Sequence, residues 1–169
     1  KKTIGFCVSR RHADFMADFA QARGLRAVAV HSGDTSAPRA SALKALEDGD
    51  LDIVFAVDMF NEGVDVPSID TVLMLRPTES PVIWLQQLGR GLRRYPGKNQ
   101  CTVLDFVGYH GKEFRFDRRI GALLRGNRKA LAEQGEQGFP FLPAGCHMSL
   151  DAIAEDIVLR SIRGSLPSN

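Results

Sequence analysis

Short apolar runs alternate with amphipathic stretches along the first two thirds of this chain. Thr3-Ile4-Gly5-Phe6-Cys7-Val8 has the length and composition of a buried strand. Ser9 is placed to cap a helix in which His12, Phe15, Met16, Phe19, Ala20 and Arg23 share one face, and Gly24 marks its end. Ala27 to Val30 reads as a second strand, followed by a polar loop, His31-Ser32-Gly33-Asp34. Ser36 and Pro38 then open a helix with Leu43 and Leu46 facing inward and Gly49 after its end. Leu51 to Val57 is apolar almost throughout, as a strand covered on both faces should be. Thr71 to Leu75 and Cys101 to Val107 are two further strands, and between them Ser80-Pro81 starts a helix carrying Trp84, Leu85 and Leu88.

Strands that alternate with helices predict an α/β domain: a parallel sheet with helices on both faces. Such sheets carry their functional loops at the carboxyl ends of the strands. Three of those loops are unusually polar: Ser9-Arg10, His31 to Asp34, and Asp58 to Asp65. After residue 110 the character changes. Residues 111–135 have helical spacing under a heavy basic load, and Gly135 to Gly145 is rich in Gly, Phe and Pro. Ser149 is placed to cap a last helix with Leu150, Ile153, Ile157, Val158 and Ile162 on one stripe. The expected organisation is a domain over 1–110 and a basic helical extension over 111–169, linking to a following domain.

Composition adds limits. At 169 residues the chain can bury a sufficient core without disulfide or metal staples. No apolar run approaches the ~20 residues of a membrane span, so no membrane partner is expected. Three widely spaced cysteines, Cys7, Cys101 and Cys146, fit a reducing, cytoplasmic compartment and not a disulfide framework or zinc site. The chain opens Lys1-Lys2-Thr3 without an initiator Met and reads as a piece of a longer protein. The net charge of +2 conceals an uneven distribution. Residues 1–85 carry nine basic and twelve acidic side chains, 86–129 eleven and three, and 130–169 two and five. A basic run alone is more often a solvated face than a phosphate contact, so its meaning depends on the motifs.

The strongest local motif is Gln86-Gln87-Leu88-Gly89-Arg90-Gly91-Leu92-Arg93. Arginines three apart on a helix point the same way, and the glycines beside them let another surface approach. Such a pair suits a cluster of anionic oxygens, the demand made by phosphoryl transfer. Two exposed structural arginines would look the same in this octet. Asp58-Met59-Phe60-Asn61-Glu62-Gly63-Val64-Asp65 follows a buried strand; Asp65 could accept from a ribose hydroxyl, although Gly-x-Asp occurs in many turns. Ser9 at a strand end can reach a phosphate or simply cap a helix. His31 is most simply a local hydrogen-bond partner.

In this order and at this spacing the motifs resemble the second RecA-like domain of superfamily 2 helicases, over residues 3–109. The resemblance implies that ATP binds between two RecA-like domains and that nucleic acid runs across both. It makes Arg90 and Arg93 the arginine fingers, places Gln86, Gly63 and Asp65 at the nucleotide, and turns Ser9, Gly33 and Asp58 toward the strand. Arg39 matches an arginine frequent in the family. Val57 departs from the family's usual Thr and cannot supply a hydroxyl to a phosphate. Phe60 to Pro67 is closer to the DNA-directed, restriction-like group than to the RNA-specialised DEAD-box group, so the implied strand is DNA, with RNA the alternative. The tail from Gly138 to His147 resembles multi-domain bacterial helicases. The chain has no Gly-x-x-x-x-Gly-Lys-Ser/Thr loop and no acidic box. The N-terminal RecA-like domain would therefore hold ATP and Mg2+, and this chain alone should not hydrolyse ATP. Two other readings stand beside this one: a non-hydrolysing nucleic-acid-binding RecA-like module, and a thiol enzyme using Cys7 or Cys146.

Overall fold

Each of the five apolar runs contributes a four-residue strand to a single sheet. The computed structural model describes residues 1–57, 66–78, 80–91, 93–106 and 147–164, with the side chains of Arg90 and of 161–164 outside that description. The elements are β1 (Thr3–Phe6), α1 (Arg10–Gln21), β2 (Ala27–Val30), α2 (Arg39–Asp48), β3 (Ile53–Ala56), β4 (Thr71–Met74), α3 (Pro81–Gly91), β5 (Thr102–Asp105) and α4 (Ala152–Gly164). All strand pairs are parallel, in the order β2-β3-β1-β4-β5. With helices on both faces, this is the RecA-like architecture.

The described chain divides into two units, Lys1–Pro77 with Leu85–Phe106 and Thr78–Trp84 with Val107–Asn169. The sheet, α1 and α2 belong to the first; α4 belongs to the second.

Apart from Thr3 and Thr71, which open β1 and β4, the inner strands are apolar because both faces are covered. Ile4, Val54, Val72 and Phe55 are fully buried, and each such side chain stabilises the fold by about 1.5–3 kcal/mol. β5 is an edge strand with Leu104 exposed. The strands are shorter than the apolar runs. Cys7, Val57, Leu75 and Phe106 each donate one further backbone hydrogen bond to a neighbouring strand and then turn away.

One helix presents a face other than the one the spacing predicts, and another starts from a different cap. α1 buries Ala13, Ala17 and Ala20 against Cys7, Ala27, Ala29 and Phe55. Phe15 and Phe19 are 59% and 42% exposed. The helix is therefore turned by roughly a quarter of a revolution from the predicted orientation. Alanines let it lie close to the sheet, while the two rings pack on each other at 6.0 Å and Arg23 lies 3.3 Å over Phe19. In α4 the predicted cap Ser149 gives way to Asp151, whose Oδ1 accepts from the backbone N–H groups of Ile153 and Ala154 at 3.0 and 2.9 Å. Among its described side chains Ala154 and Val158 are buried, Val158 on the predicted stripe, while Ile153 is 63% exposed.

Candidate nucleotide and nucleic-acid interface

Two groups of candidate residues stand at opposite ends of the strands. The first lies at the carboxyl ends of β1, β3 and β2. Ser9 is the N-cap of α1, its Oγ accepting from the His12 backbone N–H at 3.2 Å. The loop after β2 is held from within. His31 is only 4% exposed. Its Nδ1 accepts from the Gly33 N–H at 3.0 Å, and its Nε2 lies 2.8 Å from Asp14 Oδ1. With Nδ1 an acceptor, the ring donates its Nε2 proton to Asp14.

Thr35 Oγ1 donates to the other Asp14 oxygen at 3.1 Å, and the His31 backbone N–H donates to Ser36 Oγ at 2.8 Å. The hydrogen bond from His31 is the chief reason the Asp14 carboxyl titrates below its ordinary range. Gly33 sits against this ring: a Cβ there would come within 3.1 Å of the imidazole and 3.4 Å of Arg10 Cδ. The Ser9-Arg10 and His31-Gly33 loops are thus neighbours, joined by Asp14, a residue with no local sequence signal. Val57 packs on the apolar cluster under α1, which accounts for an aliphatic residue in place of a hydroxyl. Arg39 begins α2 just beyond the same loop. Asp58, assigned to this group, lies outside the described residues.

The second group lies at the amino ends of β4 and β5, where α3 finishes. Gln86 is exposed on α3, while the adjacent Gln87 is buried with no hydrogen-bond partner for its Oε1 among the described residues. The two glycines differ. A Cβ on Gly91 would run into Cys101 Sγ and come within 2.8 Å of Val72 Cγ2, whereas one on Gly89 would meet nothing within 4 Å. Gly91 therefore serves close approach of the helix to its own sheet, and Gly89 leaves open space. Arg93 is exposed just beyond the helix. The Arg90 side chain, Gly63 and Asp65 lie outside the described residues. The chain re-emerges at Val66 on this same edge, where the Asp70 N–H donates to Lys2 O at 3.0 Å.

Lys98 connects the parts of this edge. Its Nζ donates to Gly91 O at 2.6 Å, Arg93 O at 2.9 Å and Pro67 O at 3.1 Å. The Ser9-Arg10 and His31 to Asp34 loops thus lie at the carboxyl ends of their strands, and the arginine-bearing end of α3 lies at the opposite edge. An open depression of about 580 Å³ on the amino edge is lined by Lys2, Ser68, Asp70, Tyr95 and Lys98 among others, with Ser68 Oγ buried and unpartnered among the described residues.

Cys7 is buried in the sheet, and burial pushes its thiol up to about 12. Burial raises Cys101 as well. Neither supplies a thiolate near neutral pH; Cys146 lies outside the described residues. No described helix is long and apolar enough to cross a membrane.

A parallel five-stranded sheet with these loops and this helix end defines a RecA-like domain. The family model for the helicase conserved C-terminal domain matches residues 1–95, more than half of the chain, and the chain belongs to that family. IRC3 of Saccharomyces cerevisiae, named as an ATP-dependent helicase, is 31% identical over 108 residues, covering 64% of this chain and 16% of its own. The pre-mRNA-splicing ATP-dependent RNA helicase PRP28 of Cryptococcus neoformans is 29% identical over 117 residues, covering 69% and 15%. The matched part of the chain therefore spans about a sixth of the length of these relatives. Among solved structures, the yeast DEAD-box splicing factor Prp28 has a TM-score of 0.62 at 16% identity, over 99% of this chain and 32% of that one. The C-terminal domain of the DEAD-box protein Dbp5 has a TM-score of 0.55 at 13% identity, over 73% and 67%. These structural likenesses bear on the fold.

Proposed function

We propose that this domain is the second half of an ATP-driven helicase or translocase motor. It faces an N-terminal RecA-like domain that holds ATP and Mg2+. Residues 1–110 form the motor domain and 111–169 a basic extension. Arg90 and Arg93 act as arginine fingers, Gln86, Gly63 and Asp65 line the nucleotide, and Ser9, Gly33 and Asp58 face the strand. The observation that carries the reading is the family match over residues 1–95 together with an exposed Arg93 whose backbone is tied, through Lys98, to the residue two positions after Asp65.

The residues present fit half of a nucleotide site. ATP supplies the phosphoryl group and its charge. Arg93 offers a permanently charged, planar donor at an exposed helix end, suited to the outer oxygens on which charge spreads in the transition state. In this reading Asp65 supplies a carboxylate for a ribose hydroxyl. Ser9 and Gly33 present a small hydroxyl and a bare backbone at the other edge, where a sugar-phosphate chain can lie close.

Because the phosphate loop and acidic box are absent from these 169 residues, the chain by itself should turn over ATP no faster than buffer. In the full-length protein, Arg93→Ala should lower strand-stimulated ATP turnover by about 10³-fold or more while strand binding is retained. Turnover that survives the substitution would remove Arg93 from the site. The strand is DNA in this reading, supported by the character of Phe60 to Pro67. Competition between DNA and RNA of one sequence tests it, and preferential binding of RNA would overturn it.

A further inference from the structure

Lys98 belongs to neither the arginine motif nor the glycine-aspartate motif, yet its side chain joins the first to Pro67, two residues after the second. An ammonium has three N–H donors. Here all three are engaged by main-chain oxygens, those of Gly91, Arg93 and Pro67. The carbonyls that end a helix lack intrahelical partners and lie at the negative end of its dipole, so a cation there is expected. Gly91 and Arg93 fit that description. Pro67 does not: it lies 31 residues away in sequence, on the segment leaving Asp65.

The local chain is shaped for this contact. The Lys98 backbone N–H donates to Tyr95 O at 3.0 Å, and Gly97 between them has φ +80°. Pro96 and Gly97 therefore occupy the central positions of a type II turn, the second of which needs a positive φ. The turn reverses the chain and brings Lys98 back over the end of α3. Three convergent carbonyls suit a compact ammonium. A planar guanidinium directs its donors in one plane and cannot replace it.

We propose that Lys98 is a positioning residue for phosphoryl transfer. It holds the backbone of Arg93 at a set distance from Pro67 and so fixes where the arginine meets the nucleotide. The proposal rests on the reading of Arg93 as nucleotide-facing. Lys98 itself does not bind phosphate, since its donors are already engaged.

The test uses the full-length protein, with ATP turnover, KM for ATP, strand affinity and melting temperature measured for the wild type, Lys98→Met, Lys98→Arg, Arg93→Ala and the Lys98→Met/Arg93→Ala double variant. Misplacing a catalytic group by about 1 Å costs up to about 10²-fold in rate. Lys98→Met should therefore lower kcat about 10- to 100-fold with KM for ATP and strand affinity little changed. Lys98→Arg should not restore it. In single-turnover measurements on the Arg93→Ala background, Lys98→Met should add no further loss. A lowered melting temperature with unchanged kcat would make Lys98 a helix cap and overturn the proposal. So would a raised KM at unchanged kcat, or losses that add in the double variant. Intact turnover in Arg93→Ala would overturn the parent reading and this one with it, whereas a loss there alongside an unaffected Lys98→Met overturns this one alone. If Lys98→Met does not fold, Lys98→Gln, which keeps a shorter polar stem, carries the same comparisons.

Discussion

Among the described residues, the ion pair with the most hydrogen bonds joins Arg26 and Asp52. The guanidinium meets both carboxylate oxygens, at 2.7 and 3.0 Å, and the Arg26 backbone N–H adds a third hydrogen bond at 2.9 Å. Chiefly through the Arg26 side chain, these bonds lower the Asp52 carboxyl from 3.8 to about 2. A carboxyl depressed in the folded state adds stability above its unfolded value, and the contribution is lost as pH falls through the folded one. Asp52→Asn should therefore melt below the wild type near neutral pH, with the gap closing between 3.8 and about 2. A gap independent of pH, followed by thermal melts across that window, would show that the pair is not the source. Asp14 has the same sign, its carboxyl lowered chiefly by the hydrogen bond from His31. Asp52 and Asp14 could not be singled out from sequence, because each partner is an ordinary polar residue 26 or 17 positions away.

Among the elements, α3 is seated through a missing side chain. Gly91→Ala would force a methyl against Cys101 and Val72. Overpacking of this kind destabilises by about 1–3 kcal/mol, and Cys101→Ala in the same molecule should recover part of the loss in a denaturant titration. If Gly91→Ala is neutral, the helix is not held this closely. The strands were legible in sequence because strands covered on both faces are continuous apolar runs, which overran the true ends by one or two residues. The face of α1 was not legible. Phenylalanines outweigh alanines in any apolar count, but the depth of the sheet surface decides which of them a helix can place against it. Of the two glycines in the arginine motif, Gly91 permits close approach to the domain's own sheet, and Gly89 adjoins open space. The role of Lys98 was not legible, because its three acceptors come together only through the fold.

For the whole molecule, the uneven charge separates the two principal readings. A basic segment over 86–129 that only holds nucleic acid would make binding fall by about 0.7–0.9 log units per log unit of salt for each phosphate contacted. Neutralising Arg115, Arg118 and Arg119, which lie outside the described residues, would then flatten that slope. In the motor reading those substitutions weaken strand binding, whereas Arg93→Ala abolishes turnover and leaves the slope unchanged. Binding isotherms over a salt series, paired with turnover, distinguish the two. If Arg93→Ala flattens the slope and spares turnover, the domain is a binding module.

The shortness of the strands has a mechanical corollary. Four residues span only about 13 Å, with the Ser9 and Gly33 loops at one end and the Arg93 turn at the other. Any rocking of the domain about an axis through the middle of the sheet and across its strands moves these ends in opposite senses, like the arms of a see-saw. A tilt that advances one rim withdraws the other, with no bending of the scaffold between them.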